Sequence, residues 1–298
     1  MRTPAWQQRL SDGSSLLLDG ATGTELERQG VRSSLPLWSA HALIEAPELV
    51  RRVHADYATA GAELLTANTF RTQRRALGRG GCGERAAELT ALAVSLAREA
   101  ADAADHPVAV LGSAPPLEDC FDPGLVPGAE ALADEHAEHA RHLADAGVDG
   151  ILIETMNTLR EARAALHAAH AQKLPALLSF VCWRDARLLS GEPLADALAS
   201  LRDGPPAAVL VNCLPVSNVD ACLAPLASSG LPFGIYPNLG GPLDEPSDTA
   251  VVRNREELAP DEFARHARGW LAAGARIVGG CCGTTPAHVA SLAQLLRG

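Results

Sequence analysis

Eight short apolar runs recur along this chain, each followed by a stretch with helical spacing, and that alternation constrains the fold more than any single motif. The runs are SLLLDG (15–20), AELLTAN (62–68), VAVLGS (108–113), GILIET (150–155), ALLSFV (176–181), AVLVNC (208–213), PFGIYPN (232–238) and RIVGGCC (276–282). Most are continuous instead of alternating, which marks parallel strands covered on both faces. Between them lie Ala/Leu/Glu/Arg-rich segments such as GERAAELTALAVSLAREAADAA and EALADEHAEHARHLADAG. Ala60-Gly61, Ala146-Gly147 and Ala273-Gly274 close such segments, placing glycine where a helix leaves its last turn. Eight strand–helix units without a low-complexity linker predict an α/β fold, a single-domain (β/α)8 TIM barrel over 1–298. A doubly wound open sheet is the alternative. The stretch LGGPLDEPSDTAVV that follows Asn238 reads as a long loop inside that domain.

Composition narrows the partners. A net charge of -11 argues against nucleic acid and against an anionic membrane surface, since both need a basic face. No apolar run reaches the 18 residues of a membrane span, and MRTPAWQQRL has no apolar core of an export signal behind it. The seven cysteines are odd in number and scattered, unlike a disulfide framework. A reducing, cytoplasmic setting is expected, and clustered thiols there point to metal binding or catalysis. Small-molecule substrates are the expected partners, and a homo-oligomer stays open.

In a barrel the chemistry sits at the C-terminal strand ends. Those ends carry Asp19, Asn68, Ser113, Glu154, Cys213 and the adjacent pair Cys281-Cys282. Strands 6 and 8 bring Cys213 toward Cys281 and Cys282, and three thiolates form a soft ligand set suited to Zn2+ with one coordination position left open. A vicinal disulfide would strain the intervening peptide, and the flanking glycines let the backbone turn both side chains inward. The other readings are thiols filling an apolar core and a glycine-rich phosphate loop, in which thiols have no role. Cys82, Cys120, Cys182 and Cys222 read as core or incidental positions, with Cys120 on an active-face loop. His136, His139 and His142, spaced i, i+3 and i+6, read as a solvated helix surface and not as a metal site.

Several pieces in fixed order carry a resemblance: LLLDGATGTELERQG (16–30), AGAELLTANTF (60–70), ADAGVDGILIETM (144–156), LLSGEPLADAL (188–198), VNC (211–213), YPNLG (236–240) and VGGCCGTTPAHV (278–289). Together they resemble the zinc-dependent homocysteine S-methyltransferase family across nearly the whole length. The resemblance implies a (β/α)8 barrel, and a Zn2+ ion held by Cys213, Cys281 and Cys282. It implies methyl transfer from a small onium donor, such as S-methylmethionine, S-adenosylmethionine or betaine, to the thiolate of L-homocysteine, giving methionine. It further implies that Glu154 meets the substrate ammonium and that backbone N–H groups of Gly20 and Ala21 meet its carboxylate, with Asp19 shaping that turn. Asn68, Phe70 and Asn238 fall on the donor side, and an aromatic cage for an onium group has Trp38, Phe70, Phe121, Trp183 and Tyr236 to draw on. After strand 3, S-methylmethionine-type members carry Gly-Pro-Tyr-Gly, whereas this chain reads GSAPPLEDCFDPG, so the donor stays open. Three other classes remain: a zinc-thiolate barrel methylating another thiol, a zinc-dependent hydrolase or lyase, and a non-catalytic zinc-binding protein.

Overall fold

A computed structural model of the chain describes residues 3–32, 34–239 and 258–298. The loop read after Asn238 lies outside the described residues from 240 to 257. In chain order the elements are α1 (Ala5–Ser11), β1 (Leu16–Leu17), α2 (Thr22–Arg28), α3 (His41–Glu45), α4 (Pro47–Thr59) and β2 (Leu64–Ala67). Next come α5 (Arg74–Arg79), α6 (Ala86–Asp102), β3 (Ala109–Ala114), α7 (Ala129–Asp145), β4 (Gly150–Met156), α8 (Leu159–Ala171) and β5 (Ala176–Phe180). The chain closes with α9 (Leu194–Ala199), β6 (Ala208–Pro215), α10 (Val219–Ser228), β7 (Phe233–Asn238), α11 (Pro260–Ala272), β8 (Ile277–Val278) and α12 (Pro286–Arg297).

All eight strands pair in parallel, in the order β1-β8-β7-β6-β5-β4-β3-β2. The remaining seam, β1 to β2, is closed by a parallel bridge between Leu18 and Leu64, with Glu63 N–H donating to Leu17 O at 2.8 Å and Asp19 N–H to Leu64 O at 3.0 Å. The sheet is therefore a barrel, as the alternation predicts, and the open-sheet alternative falls.

Two apolar layers hold it. Inside, Leu16, Leu18, Leu64, Leu111, Leu152, Leu177, Leu210 and Ile277 fill the lumen. Outside, the alternate strand residues, among them Leu17, Leu65, Val110, Ile151, Ile153, Leu178, Val209, Val211 and Val278, pack against the helices. Burial on both faces is why the runs look continuous in sequence. The sequence reading missed α1, which plugs the lower end: Trp6 and Leu10 join the lumen cluster, and Trp6 Nε1–H donates to Asp149 O at 3.3 Å. Gly61, Gly147 and Gly274 have φ of 106°, 82° and 106°, the left-handed conformation expected just past the ends of α4, α7 and α11.

Candidate active site

One step of strand alternation makes the floor of the site. Two residues beyond the lumen leucines of β2 to β6 stand Thr66, Ser113, Glu154, Ser179 and Asn212. The two-residue period keeps them on the inner face, so an apolar layer gives way to a polar one at the C-terminal mouth. A cavity of about 410 Å3 opens there, lined by residues that include Asp19, Gly20, Thr66, Glu154, Cys213, Cys281 and Cys282.

The three cysteines read from sequence meet. The sulfurs of Cys213, Cys281 and Cys282 lie within 4.8 Å of one another, and Cys213 Sγ is 3.0 Å from Cys281 Sγ. Among the described residues this is the one cluster of His, Cys, Asp or Glu able to hold a metal ion. Tetrahedral coordination at a Zn–S distance of about 2.3 Å needs sulfurs about 3.8 Å apart, so small rotations close the set around an ion. Hydrogen bonding to Cys281 and Cys282, together with burial, pushes the Cys213 thiol well above its ordinary value. Without a cation this group stays protonated, and a soft divalent ion removes the penalty on ionising it. The donor set fits such an ion.

The cysteines arrive by different routes. Cys213 is not a strand-end residue: β6 runs on to Pro215, and Cys213 sits inside it at φ 53° beside a register shift against β7. Cys281 and Cys282 follow β8 in a turn, where Cys281 N–H donates to Pro237 O at 2.9 Å and Cys282 N–H to Asn238 Oδ1 at 3.0 Å.

Glu154 is buried on the floor, with Oε1 accepting from Ser113 Oγ–H and Oε2 accepting from Tyr236 Oη–H at 3.3 Å. Burial first, and the neighbouring Cys281 second, raise its carboxyl to about 8. Asp19 is buried too, accepting from Thr66 N–H at 2.7 Å and Thr66 Oγ1–H at 3.0 Å. It thereby stitches the β1–β2 seam where the ladder is thinnest, and it is not the cap of α2, whose N-cap is Ala21. Burial holds its carboxyl well above the usual range, with Glu154 adding to the shift. Two buried carboxyls in one cavity make a place for a cation.

Gly20 packs under Tyr57, where an added Cβ would stand 2.7 Å from the ring, so glycine is required for the close approach. The Ala21 N–H donates to Thr284 Oγ1 at 3.1 Å. Asn68 and Phe70 line the cavity, Asn68 Nδ2–H donating to Ser39 O at 2.9 Å and Phe70 standing edge-on to Trp38 at 5.8 Å. Trp38, Phe121 and Tyr236 also line it, whereas Trp183 packs behind in the cluster holding Cys120, Phe121 and Cys213. Asn238 does not line the cavity; its side chain is spent on the Cys282 amide.

Other expectations are corrected or refined. His136 and His139 are buried, not solvated: α7 packs on α8, His136 Nε2 lies 3.3 Å from Glu161 Oε1, and His139 Nε2 lies 3.0 Å from Ser113 O. Three residues apart, they share one helix face. Cys120 is buried, lines the cavity and packs with Cys213, but is outside the three-sulfur cluster. Cys182 and Cys222 are buried beside one another behind the barrel wall. Sequence reasoning assigned no role to Thr66, Thr155, Asn212 or Thr284, whose roles depend on contacts across strands.

Comparison with known proteins agrees with this geometry. A sequence model of a family described as homocysteine S-methyltransferase matches residues 16–296. A homocysteine S-methyltransferase of Escherichia coli is 37% identical over 93% of this chain and 94% of its own length. One of Bacillus subtilis is 30% identical over 95% of this chain and 94% of its own length. The solved structure of the homocysteine methyltransferase MmuM from Escherichia coli, in a metallated form, superposes with a TM-score of 0.83 at 32% identity, covering 98% of this chain and 99% of that one. No helix among the described residues is long and apolar enough to cross a membrane.

Proposed function

The chain belongs to the homocysteine S-methyltransferase family, and from that premise we propose that it moves a methyl group from a small onium donor to the sulfur of L-homocysteine, releasing methionine. One observation carries the reading: a single cavity holds the three-sulfur cluster and, on its floor, a buried carboxyl able to hold an ammonium. An acceptor with a thiol at one end and an amino acid at the other matches both.

Cys213, Cys281 and Cys282 would hold a Zn2+ ion. When bound, the ion supplies a site at which the acceptor thiol stays deprotonated yet nucleophilic. Glu154, aimed by Ser113 and Tyr236, takes the acceptor's ammonium, with Asp19 close enough to share the charge. Gly20 and Ala21 offer backbone N–H groups to the carboxylate, which at Ala21 replaces or shares the bond to Thr284. Trp38, Phe70 and Phe121 present aromatic surface to the donor's onium centre. Their apolar faces also exclude water from the transfer. With both substrates held in line, the acceptor sulfur forms a bond to the methyl carbon as the donor's bond to it breaks, the electron pair leaving with the neutral sulfide or amine.

A hydrolase or lyase needs a base for water, and no histidine is among the described residues lining the cavity. The test is methionine formation, read by mass spectrometry, from homocysteine with S-methylmethionine, S-adenosylmethionine and betaine offered separately to zinc-loaded protein. Production from at least one donor is expected. No methionine from any of them would sink the reading.

A further inference from the structure

Two residues of the site break strand phase in the same way. In β4 the inward series is Leu152, Glu154; in β6 it is Ala208, Leu210, Asn212. Alternation would turn the next residues, Thr155 and Cys213, outward toward the helices. Instead each takes a left-handed conformation, φ 60° at Thr155 and φ 53° at Cys213, at a register shift of its strand, and each lines the cavity. A β-branched residue stays in that region only where its surroundings hold it there.

Asn212, fully buried, does the holding. Its Oδ1 accepts from Ser179 Oγ–H at 2.6 Å and from Thr155 N–H at 3.0 Å. Its Nδ2 donates to Thr155 Oγ1 at 2.8 Å and reaches Cys281 Sγ at 4.0 Å. Thr155 Oγ1–H in turn donates to Cys213 Sγ at 3.8 Å. Every donor and acceptor of the amide is used, and its direction is forced, because a flipped amide would set Nδ2 against the donating Thr155 N–H. Tyr236, whose hydroxyl donates to Glu154, stands on the neighbouring strand β7. One polar network thus ties β4, β5 and β6 to two of the three sulfurs.

We propose that Asn212 and Thr155 are a positioning pair for the sulfur cluster, donating hydrogen bonds to Cys281 and Cys213 that hold their spacing and draw charge from them. The inference rests on the methyl-transfer reading of the site. Three thiolates and an acceptor thiolate around a divalent ion leave a formal charge of about -2 in a buried place, where fixed donors are needed to spread it. The pair would set the grip on the metal and the reactivity of the bound sulfur through the two cysteines it holds.

The test uses full-length protein loaded with cobalt(II) or zinc, and the variants Thr155→Val, Thr155→Ser and Asn212→Asp. Thr155→Val keeps shape but loses the hydroxyl. Its sulfur-to-cobalt charge-transfer band should move to longer wavelength, and a chelator should strip its zinc roughly tenfold faster, the usual effect of losing an outer partner of a metal ligand. Its kcat should fall by a similar factor with the KM for homocysteine unchanged, and Thr155→Ser should restore all three. A folded Thr155→Val with the parent's band, stripping rate and kcat would overturn the proposal. Should that variant fail to fold, the same parent-like readings in Asn212→Asp would overturn it. Wild-type protein that takes up no cobalt at these cysteines removes the metal site and this proposal together. Cobalt-band shifts in the variants, with wild-type protein that methylates no homocysteine, would overturn the acceptor assignment and leave the positioning role standing.

Discussion

Replacing Glu154 by glutamine gives the sharpest test of acceptor recognition, because the structure predicts how the effect should change with pH. A charge-assisted hydrogen bond to a buried carboxylate contributes about 1.5–3 kcal/mol, or roughly 10- to 150-fold in Kd. The full effect is not available at neutral pH. Burial raises the Glu154 carboxyl to about 8, so at pH 7 the free protein must first ionise it, at a cost of about 1.4 kcal/mol. At pH 8.5 that cost falls to about 0.2 kcal/mol. The sign follows directly: a raised carboxyl opposes binding of an ammonium below its pKa and stops opposing it above. The ratio of homocysteine Kd in Glu154→Gln to that in the parent should therefore grow about eightfold from pH 7 to pH 8.5. Titration calorimetry on zinc-loaded protein measures it. Proton release from the acceptor thiol and loss of protons from its amine occur with both proteins and cancel in the ratio. A simple alkyl thiol without an amino group should show a ratio near one at both pH values. A homocysteine ratio that stays flat with pH, or an alkyl thiol that responds equally, would refute the assignment and make Glu154 a structural carboxyl.

Changing Cys213, Cys281 and Cys282 together to serine should abolish zinc uptake measured by atomic absorption while the circular dichroism of the barrel persists, since its two apolar layers need no metal; zinc retained by the triple variant would count against the site. His54 is fully buried, neither ring nitrogen has a hydrogen-bond partner among the described residues, and burial lowers it from 6.5 to about 4. The unfolded chain then takes up the proton first as pH falls, so stability is lost between those values, by up to roughly 3 kcal/mol from this residue. His54→Leu should flatten that part of the urea-unfolding profile, and identical acid slopes in the two proteins would contradict the argument. Gly20→Ala should destabilise by about 1–3 kcal/mol, because the new Cβ meets Tyr57 at 2.7 Å; a chemical unfolding midpoint equal to the parent's would show that Tyr57 yields freely.

The barrel and its three-cysteine cluster were legible in the sequence because both depend on local signals. Continuous apolar runs report strands buried on two faces, and each of the eight predicted runs overlaps the strand observed, with β3, β4 and β6 running one or two residues further. Gly-Gly-Cys-Cys-Gly marks a turn with two thiols at a strand end, and barrel topology alone then brings Cys213 near it. The histidines of α7 misled, because their spacing does not show which neighbour covers them; α8 and β3 do. Strand phase was the other limit. A period of two predicts Glu154 and Asn212 facing inward and Thr155 and Cys213 facing outward. Only the assembled barrel, where Asn212 of β6 reaches past Ser179 of β5 to the backbone of Thr155 in β4, supplies the hydrogen bonds found with the two left-handed residues facing the cavity. Asp19 teaches the same lesson, since its partner Thr66 lies across the seam where the ends of the sheet meet. Residue type and order decided which chemistry the chain could carry. Contacts between strands far apart in sequence decided which way the side chains point, because a bulge is stabilised by its neighbours and not by its own residues.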